Sequence, residues 1–360
     1  MHDPAARLEP DLSSIEITGR AQKQAWDRQR LPPVERVGPG LWSLPVPIPN
    51  NPLRYVLVYA LEVGDNLALV DAGWPTDDAW QALVEGLDEV GAAVNDVVGV
   101  LVTHIHPDHY GLAGRIREAS GAWIAMHPAD AAMIDERYQS PEGLIERMRR
   151  AMVAAGIPER DVPSLAEASL WISQIMRTGL PDHLIEDGDR IDLTGWDLRA
   201  VWTPGHSPGH LCFYEDGRKL LLSGDHVLPR ISPNISAHPQ QPVNPLADFL
   251  DSLMKVRSLD VDEVLPAHEW RFRGLGGRVD ELLAHHEDRM AEIEYVLAKD
   301  PGCTCWELTV QLTWSRPWNE IPVYMRRAAN GETLAHLVLL VERGRVKAEG
   351  DQPVRYITTS

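Results

Sequence analysis

Apolar and polar positions alternate in short runs along the first half of the chain. After a polar lead-in from Met1 to about Pro33, with one helix expected around Arg20–Arg30, the runs are Leu41–Pro47, Tyr55–Val63 and Asn66–Val70. Separated by the turn residues Gly64-Asp65-Asn66, they predict consecutive antiparallel strands. Asp71-Ala72-Gly73 ends the last of these, and the spacing over Asp77–Val90 changes to that of an amphipathic helix. Val97–Thr103 (VVGVLVT) is a continuous β-branched run, which suits a strand covered on both faces. A helix over Leu112–Ser120 and a strand over Trp123–Met126 are expected next. Strand, loop and helix in repetition predict an α/β fold in which helices cover sheets.

From Pro128 to about Asp182 the pattern is helical. Met133, Met148, Met152 and Met176, with Leu144, Ile145, Leu170, Trp171 and Ile175, predict two or three helices inserted between sheet elements. They form either a layer of the core or a lid whose flexible Met side chains suit irregular ligands. Strands are expected again at Arg190–Leu193, Leu198–Trp202, Leu211–Tyr214, Lys219–Ser223 and Glu263–Pro266. Beyond Gly277 the chain reads as helices over 277–298, 304–313, 323–329 and 331–343, then a hairpin from Arg345–Glu349 and Val354–Thr358, a winged-helix-like order.

Composition narrows the class. The chain has 360 residues, an apolar share of 44% and no apolar run near the roughly 20 residues that span a bilayer. The polar N-terminus shows no secretion signal, so a cytoplasmic address is expected. Cys212, Cys303 and Cys305 are too few for a disulfide framework and read as reduced packing residues. Against 34 basic residues stand 53 acidic ones, a formal charge of −19 that opposes nucleic acid or an anionic membrane as partner. A small-molecule substrate is expected.

The chemistry concentrates where predicted strands end. His104 and His106, two apart after the buried run, point the same way in an extended loop, and Asp108 and His109 follow at once. His206 lies in TPGHSPGH, Asp225 follows LLLSG and His268 follows VLPA. Imidazole and carboxylate are ready ligands for zinc, and also for iron or manganese. Five histidines and two carboxylates at the ends of different strands can converge on one rim. His210 reads as a structural hydrogen-bonding residue and His226 as support behind the ligands. His285 and His286 read as solvent-facing positions on a helix.

HIHPDHYG resembles the HxHxDH signature of the metallo-β-lactamase superfamily, and TPGHSPGH, SGDH and PAHE resemble its later motifs in the same order. The resemblance spans roughly Val37 to Arg273 and implies an αββα sandwich carrying two metal ions, zinc in the first instance. It implies that His104, His106 and His206 hold the first metal, that Asp108, His109 and His268 hold the second, and that Asp225 bridges them. Asp71, in VDAG, matches an aspartate that supports the site from behind. The implied organisation is an N-terminal extension (1–36), a catalytic domain (37–275) with a helical insertion at about 128–182, and a C-terminal helical module (276–360) that could dimerise the chain or cap the substrate.

The implied reaction is attack of a metal-bridging hydroxide on a carbonyl carbon, with Asp108 and Asp225 orienting it. Asp225 stands where the main zinc β-lactamases carry cysteine, which argues against a β-lactamase. DHVLPRIS lacks the tyrosine that lactonases of the superfamily carry near the metals, and no glutathione-binding basic cluster is evident. A thioester or ester of an apolar acyl group is the leading expectation. A lactonase or β-lactam hydrolase, a ribonuclease Z-like phosphodiesterase and an iron-dependent redox enzyme are the alternatives.

Overall fold

The computed structural model describes residues 12–167 and 170–359. The earliest residues of the polar lead-in, 1–11, lie outside that range, as do the side chains of Leu170 and Trp171 from the helical stretch.

Strand β1 (Glu16–Ile17) and helix α1 (Arg20–Asp27) come first. One sheet then forms in chain order from β2 (Glu35–Gly38), β3 (Leu41–Pro47), β4 (Tyr55–Val63), β5 (Asn66–Val70), β6 (Val97–Leu101), β7 (Trp123–Met126) and β8 (His183–Leu184). Its hairpin part, β2 to β5, is antiparallel, and β5 to β8 are parallel. Crossovers through α2 (Asp77–Val90) and through α3 (Pro107–Tyr110) with α4 (Ala113–Ser120) make the parallel part possible. The second sheet has the order β1-β14-β13-β12-β11-β10-β9, from β9 (Arg190–Ile191), β10 (Leu198–Trp202), β11 (Leu211–Glu215), β12 (Leu220–Gly224), β13 (Glu263–Pro266) and β14 (Phe272–Arg273). Thus the N-terminal segment adds an edge strand to each sheet.

The alternation in β4 shows how the layers are built. Tyr55, Leu57, Tyr59 and Leu61 face the second sheet and meet Leu198, Phe213, Leu222 and Leu265. Val56, Val58 and Ala60 face the other way, onto Leu83 and Leu87 of α2 and Ile116 of α4. Every one of these strand residues is at most 2% exposed, so a register slip of one residue would still bury apolar groups. The hydroxyls pin the register instead: Tyr55 donates to the Glu269 carbonyl (2.8 Å) and Tyr59 to the Pro266 carbonyl (2.9 Å). The αββα expectation holds, with α9 (Pro245–Arg257) and α10 (Leu275–Lys299) covering the outer face of the second sheet.

Between β7 and β8 lie α5 (Pro128–Ala131), a π-helical turn at Asp135–Gln139, α6 (Glu142–Ala154), α7 (Val162–Glu167) and α8 (Leu170–Ile175). Met133 and Met176 join the core of the first sheet, whereas Met152, Ile157, Val162 and Leu165 form a small cluster against Trp306. The insertion therefore serves partly as core and partly as a bridge to the C-terminal elements.

Those elements are β15 (Cys303–Thr304), α11 (Cys305–Gln311), α12 (Val323–Glu342), β16 (Val346–Glu349) and β17 (Arg355–Thr358), the strands forming a sheet in the order β15-β17-β16. Their apolar side chains share one cluster with α9 and β10–β13. Two expectations change here. The segments 323–329 and 331–343 are one helix, because Gly331 continues it where a Cβ would come within 2.9 Å of Ser236. His286 is buried rather than solvent-facing: it lies on the stripe Leu282, His286, Met290, Ile293 of α10, and its Nδ1 is 3.0 Å from His336 Nε2. His285 is partly buried, with its Nε2 3.4 Å from the Ser232 hydroxyl.

Candidate metal centre

All the ligand candidates lie at one rim, where β5, β6, β10, β12 and β13 end. Beyond β6 the chain runs extended through Thr103 and His104, then turns at His106, which caps α3 ahead of Pro107. That turn carries Asp108 and His109 on the first helical turn, so four candidates within six residues face one space. Three overlapping groups have ligand atoms within 4.8 Å of one another: His104, His106 and His206; His104, His109 and Asp225; and Asp108, His109 and His268.

Hydrogen bonds fix which ring nitrogen is available on three of the histidines. His109 Nδ1 is 2.7 Å from the Asp71 carboxylate, His206 Nδ1 is 2.9 Å from the Asn234 carbonyl and His268 Nδ1 is 2.8 Å from the Tyr55 carbonyl. Each partner accepts, so Nδ1 carries the proton and Nε2 is left with a lone pair. Those three Nε2 atoms and Asp225 Oδ1 are buried and have no hydrogen-bond partner. Buried polar atoms without partners are costly, and here four of them converge. A divalent cation is the group that would satisfy lone pairs and carboxylates together.

The Asp225 carboxylate sits between the two sets. Its Oδ2 is 3.6 Å from His206 Nε2, while Oδ1 is 3.6 Å from His109 Nε2 and 3.2 Å from His268 Nε2. Asp108 Oδ2 is 3.4 Å from His268 Nε2 and 3.7 Å from His109 Nε2. On the other side His104 Nε2 lies 2.9 Å from His106 Nδ1.

Charge is unevenly spread. Burial lowers the pKa of His104, His106 and His206, keeping them neutral as a ligand must be. Burial opposes a charge on His268 too, but the Asp225 and Asp108 carboxylates outweigh it and raise its pKa to about 10. His109 is raised well above the usual imidazole range, Asp71, Asp108 and Asp225 outweighing burial. Asp225 is held well below the carboxylate range, His268 and His109 prevailing over burial. Without a cation, protons on His109 and His268 would have to supply the positive charge that these carboxylates require.

Other residues hold the candidate ligands in place. Asp71, at the end of β5, adopts φ +66°, a conformation that Asp tolerates better than most residues. There it accepts from the Thr103 N–H (2.8 Å) and hydroxyl (2.9 Å) and from His109, tying β5 to the ligand loop. His210 has the structural part expected of it: Nδ1 is 2.8 Å from the Thr203 hydroxyl, and Nε2 accepts from the Asp225 N–H at 3.1 Å. Gly224 (φ +49°) permits that approach, since a Cβ there would stand 2.7 Å from His210 Nε2. His226 is one layer farther back, its ring 6.0 Å from that of His210 and 5.1 Å from that of Phe249 on α9.

Asp130, which the sequence does not single out, joins the two loops that carry the candidate ligands. It accepts from the Ile105 N–H (2.8 Å), the Ser207 hydroxyl (2.8 Å) and the Gly209 N–H (2.6 Å). An aspartate in the first turn of α5, after a proline, carries the ordinary signature of a helix start, so nothing marked it out. The C-terminal helix contributes as well. Asn234, whose carbonyl orients His206, donates its side-chain amide to Glu332 of α12 at 3.3 Å.

Comparison with known proteins gives the family. The profile of the metallo-beta-lactamase superfamily matches residues 51–268. The probable metallo-hydrolase YqjP of Bacillus subtilis is 27% identical over 266 residues, covering 71% of this chain and 80% of that protein. A metallo-beta-lactamase family protein of Thermus thermophilus superposes with a TM-score of 0.79 at 34% identity, covering 90% of this chain and all (100%) of its own. A beta-lactamase domain protein of Burkholderia ambifaria gives 0.80 at 26% identity, covering 97% and 99%.

Proposed function

The chain belongs to the metallo-β-lactamase superfamily and is a metal-dependent hydrolase, and on that premise we propose that it binds two zinc ions and hydrolyses a thioester or ester. The position of Asp225 carries this reading: it offers one carboxylate oxygen to the His206 side and the other to the His109 and His268 side. His104, His106 and His206 would hold one ion, and Asp108, His109 and His268 the other, with Asp225 shared. Bound there, the ions would supply an acidified water at neutral pH and a charge that polarises a carbonyl oxygen.

The chain's own residues do the rest. Asp71, Asn234 and Tyr55 fix the tautomers of His109, His206 and His268, so that each Nε2 faces the centre without reorganisation. Asp108 and Asp225, both held ionised by the neighbouring histidines against the effect of burial, would accept hydrogen bonds from a water and orient its lone pair toward the substrate. The wall beside His106 and His206 comes from α6 and α12, which supports a capping part for the insertion and the C-terminal elements. Their helix-strand-helix-helix-strand-strand order supports reading that region as a winged-helix-like cover.

The test is metal content of the purified protein, paired with hydrolysis of thioesters, esters, lactones and a phosphodiester. About two zinc per chain with thioester or ester hydrolysis supports the reading. One iron per chain, or cleavage of the phosphodiester alone, overturns it.

A further inference from the structure

A cavity of about 190 Å³ opens beside His106 and His206, between α6, the π-helical turn at 135–139, the loop 234–239 and α12. His238 stands in its wall together with those two histidines, although it lies in none of the ligand motifs. Its Nδ1 accepts from the Gln240 N–H at 3.2 Å, so the ring proton sits on Nε2. Among the described residues no group accepts from that Nε2–H. Burial, with Arg137, Arg327 and His206 acting in the same sense, lowers the pKa of the ring to about 3, in keeping with a neutral imidazole.

The loop that carries His238 is anchored on three sides. Toward α12, Ala237 donates its N–H to the Gly331 carbonyl (2.9 Å), and the Ser236 hydroxyl reaches the Ala328 carbonyl (3.3 Å). Toward the π-helical turn, the Gln240 amide donates to Glu136 (3.1 Å). Toward the metal centre, the Gln241 amide donates to the backbone carbonyls of Gly205 (3.3 Å) and His206 (3.0 Å). The backbone at His238 is thereby tied to that of a candidate ligand.

We propose that His238 is a catalytic residue whose Nε2–H donates a hydrogen bond to the carbonyl oxygen of the substrate and holds the oxyanion formed there. The inference rests on the carbonyl-hydrolase reading above. When an oxygen nucleophile adds to the carbonyl carbon, the π electron pair moves onto the carbonyl oxygen. The donor then faces a full charge where it faced a dipole, so its bond strengthens in the transition state. When the carbon–sulfur bond of a thioester breaks, the pair returns and the thiolate leaves with the bonding electrons. The proton stays on Nε2 throughout, because a neutral imidazole is far too weak an acid to surrender it. Such a donor acts only if it is placed beforehand, which the anchored loop provides.

The experiment divides the two tasks of the ring between two amides. His238→Asn keeps an acceptor for the Gln240 N–H near the place of Nδ1 and removes the donor at Nε2; His238→Gln does the reverse. The substrate is a hexanoyl thioester of a small neutral thiol, offered to the zinc-loaded full chain. His238→Asn should lower kcat by about 100-fold, as loss of one oxyanion donor does, with KM and zinc content little changed. His238→Gln should recover part of that loss. Should His238→Asn fail to fold by circular dichroism, His238→Ser tests the same point, since its hydroxyl can also accept from the backbone N–H two residues on. Equal losses in the two amide variants, a greater loss in His238→Gln, or a loss that follows zinc content overturns the inference and leaves the hydrolase reading standing. If the unaltered chain cleaves neither thioester nor ester, the hydrolase reading fails on its own, and binding of hexylphosphonate, a tetrahedral anion, decides the donor. Calorimetry that shows binding weakened in His238→Asn and partly restored in His238→Gln upholds it, and binding that is absent or alike in all three overturns it.

Discussion

Two sets of histidines in this molecule are equally buried and entirely different in kind. At the rim, His109, His206 and His268 each give Nδ1 to an acceptor and hold Nε2 toward a common centre with carboxylates in it. At the rear, His286 and His336 are hydrogen-bonded to each other, and His226 packs on Phe249. No carboxylate outweighs burial there, so the pKa falls to about 3 for His226 and about 4 for His336. Burial and residue type are shared. What separates the two sets is the charge facing the second ring nitrogen: His336 also gives Nδ1 to a backbone carbonyl, that of Glu332, but its Nε2 meets His286 rather than a carboxylate.

The largest effect expected from breaking the rim is on Asp225. Asp225→Ala should lower kcat/KM by roughly a thousandfold or more, about 4 kcal/mol of transition-state stabilisation, with metal content reduced in the same sample. Next comes the tautomer: Asp71→Asn keeps the shape but removes the charge behind His109, and zinc affinity measured with a competing chelator should weaken by about 10- to 100-fold. Asp130→Ala leaves the Ile105 and Gly209 amides without their acceptor. It should cost about 3 kcal/mol in denaturant unfolding and reduce activity as the two ligand loops separate. The rear set sharpens the contrast. His286→Leu should change stability by about 1–2 kcal/mol in the same assay and leave zinc content unaltered.

A smaller effect follows from pH in chelator-stripped protein. His268 has a pKa of about 10 when folded, above the roughly 6.5 of an unfolded imidazole. Its contribution to stability is therefore complete below about pH 6.5 and is lost as pH rises toward 10. Thermal midpoints of the stripped protein should fall across that window. With zinc bound, the His268 lone pair is committed to the ion and this part of the slope should vanish.

Much of this was legible in the chain. The nearly continuous apolar run Tyr55–Val63 marks β4 because side chains on a strand address opposite faces, and here both faces meet apolar layers. The ligand residues stood out because they cluster at strand ends with recognisable spacing. The supports did not. Asp130 lies outside every motif, and Asn234 acts through its backbone carbonyl, which any residue could supply. Helix α9 was missed because Pro245 and Asn244 look like loop residues, although they are its first position and its cap. His286 was misplaced for a different reason. It falls four residues from the buried Leu282 and from the buried Met290 along α10, a stripe the sequence displays, but it sits in a polar His-His-Glu-Asp run that reads as an exposed face.

The most direct test of the account is anomalous diffraction at the zinc edge from crystals of the zinc-loaded protein. The account predicts two peaks, one on each side of the Asp225 carboxylate. A single peak, or one seated at His286 and His336 with the rim empty, would contradict it.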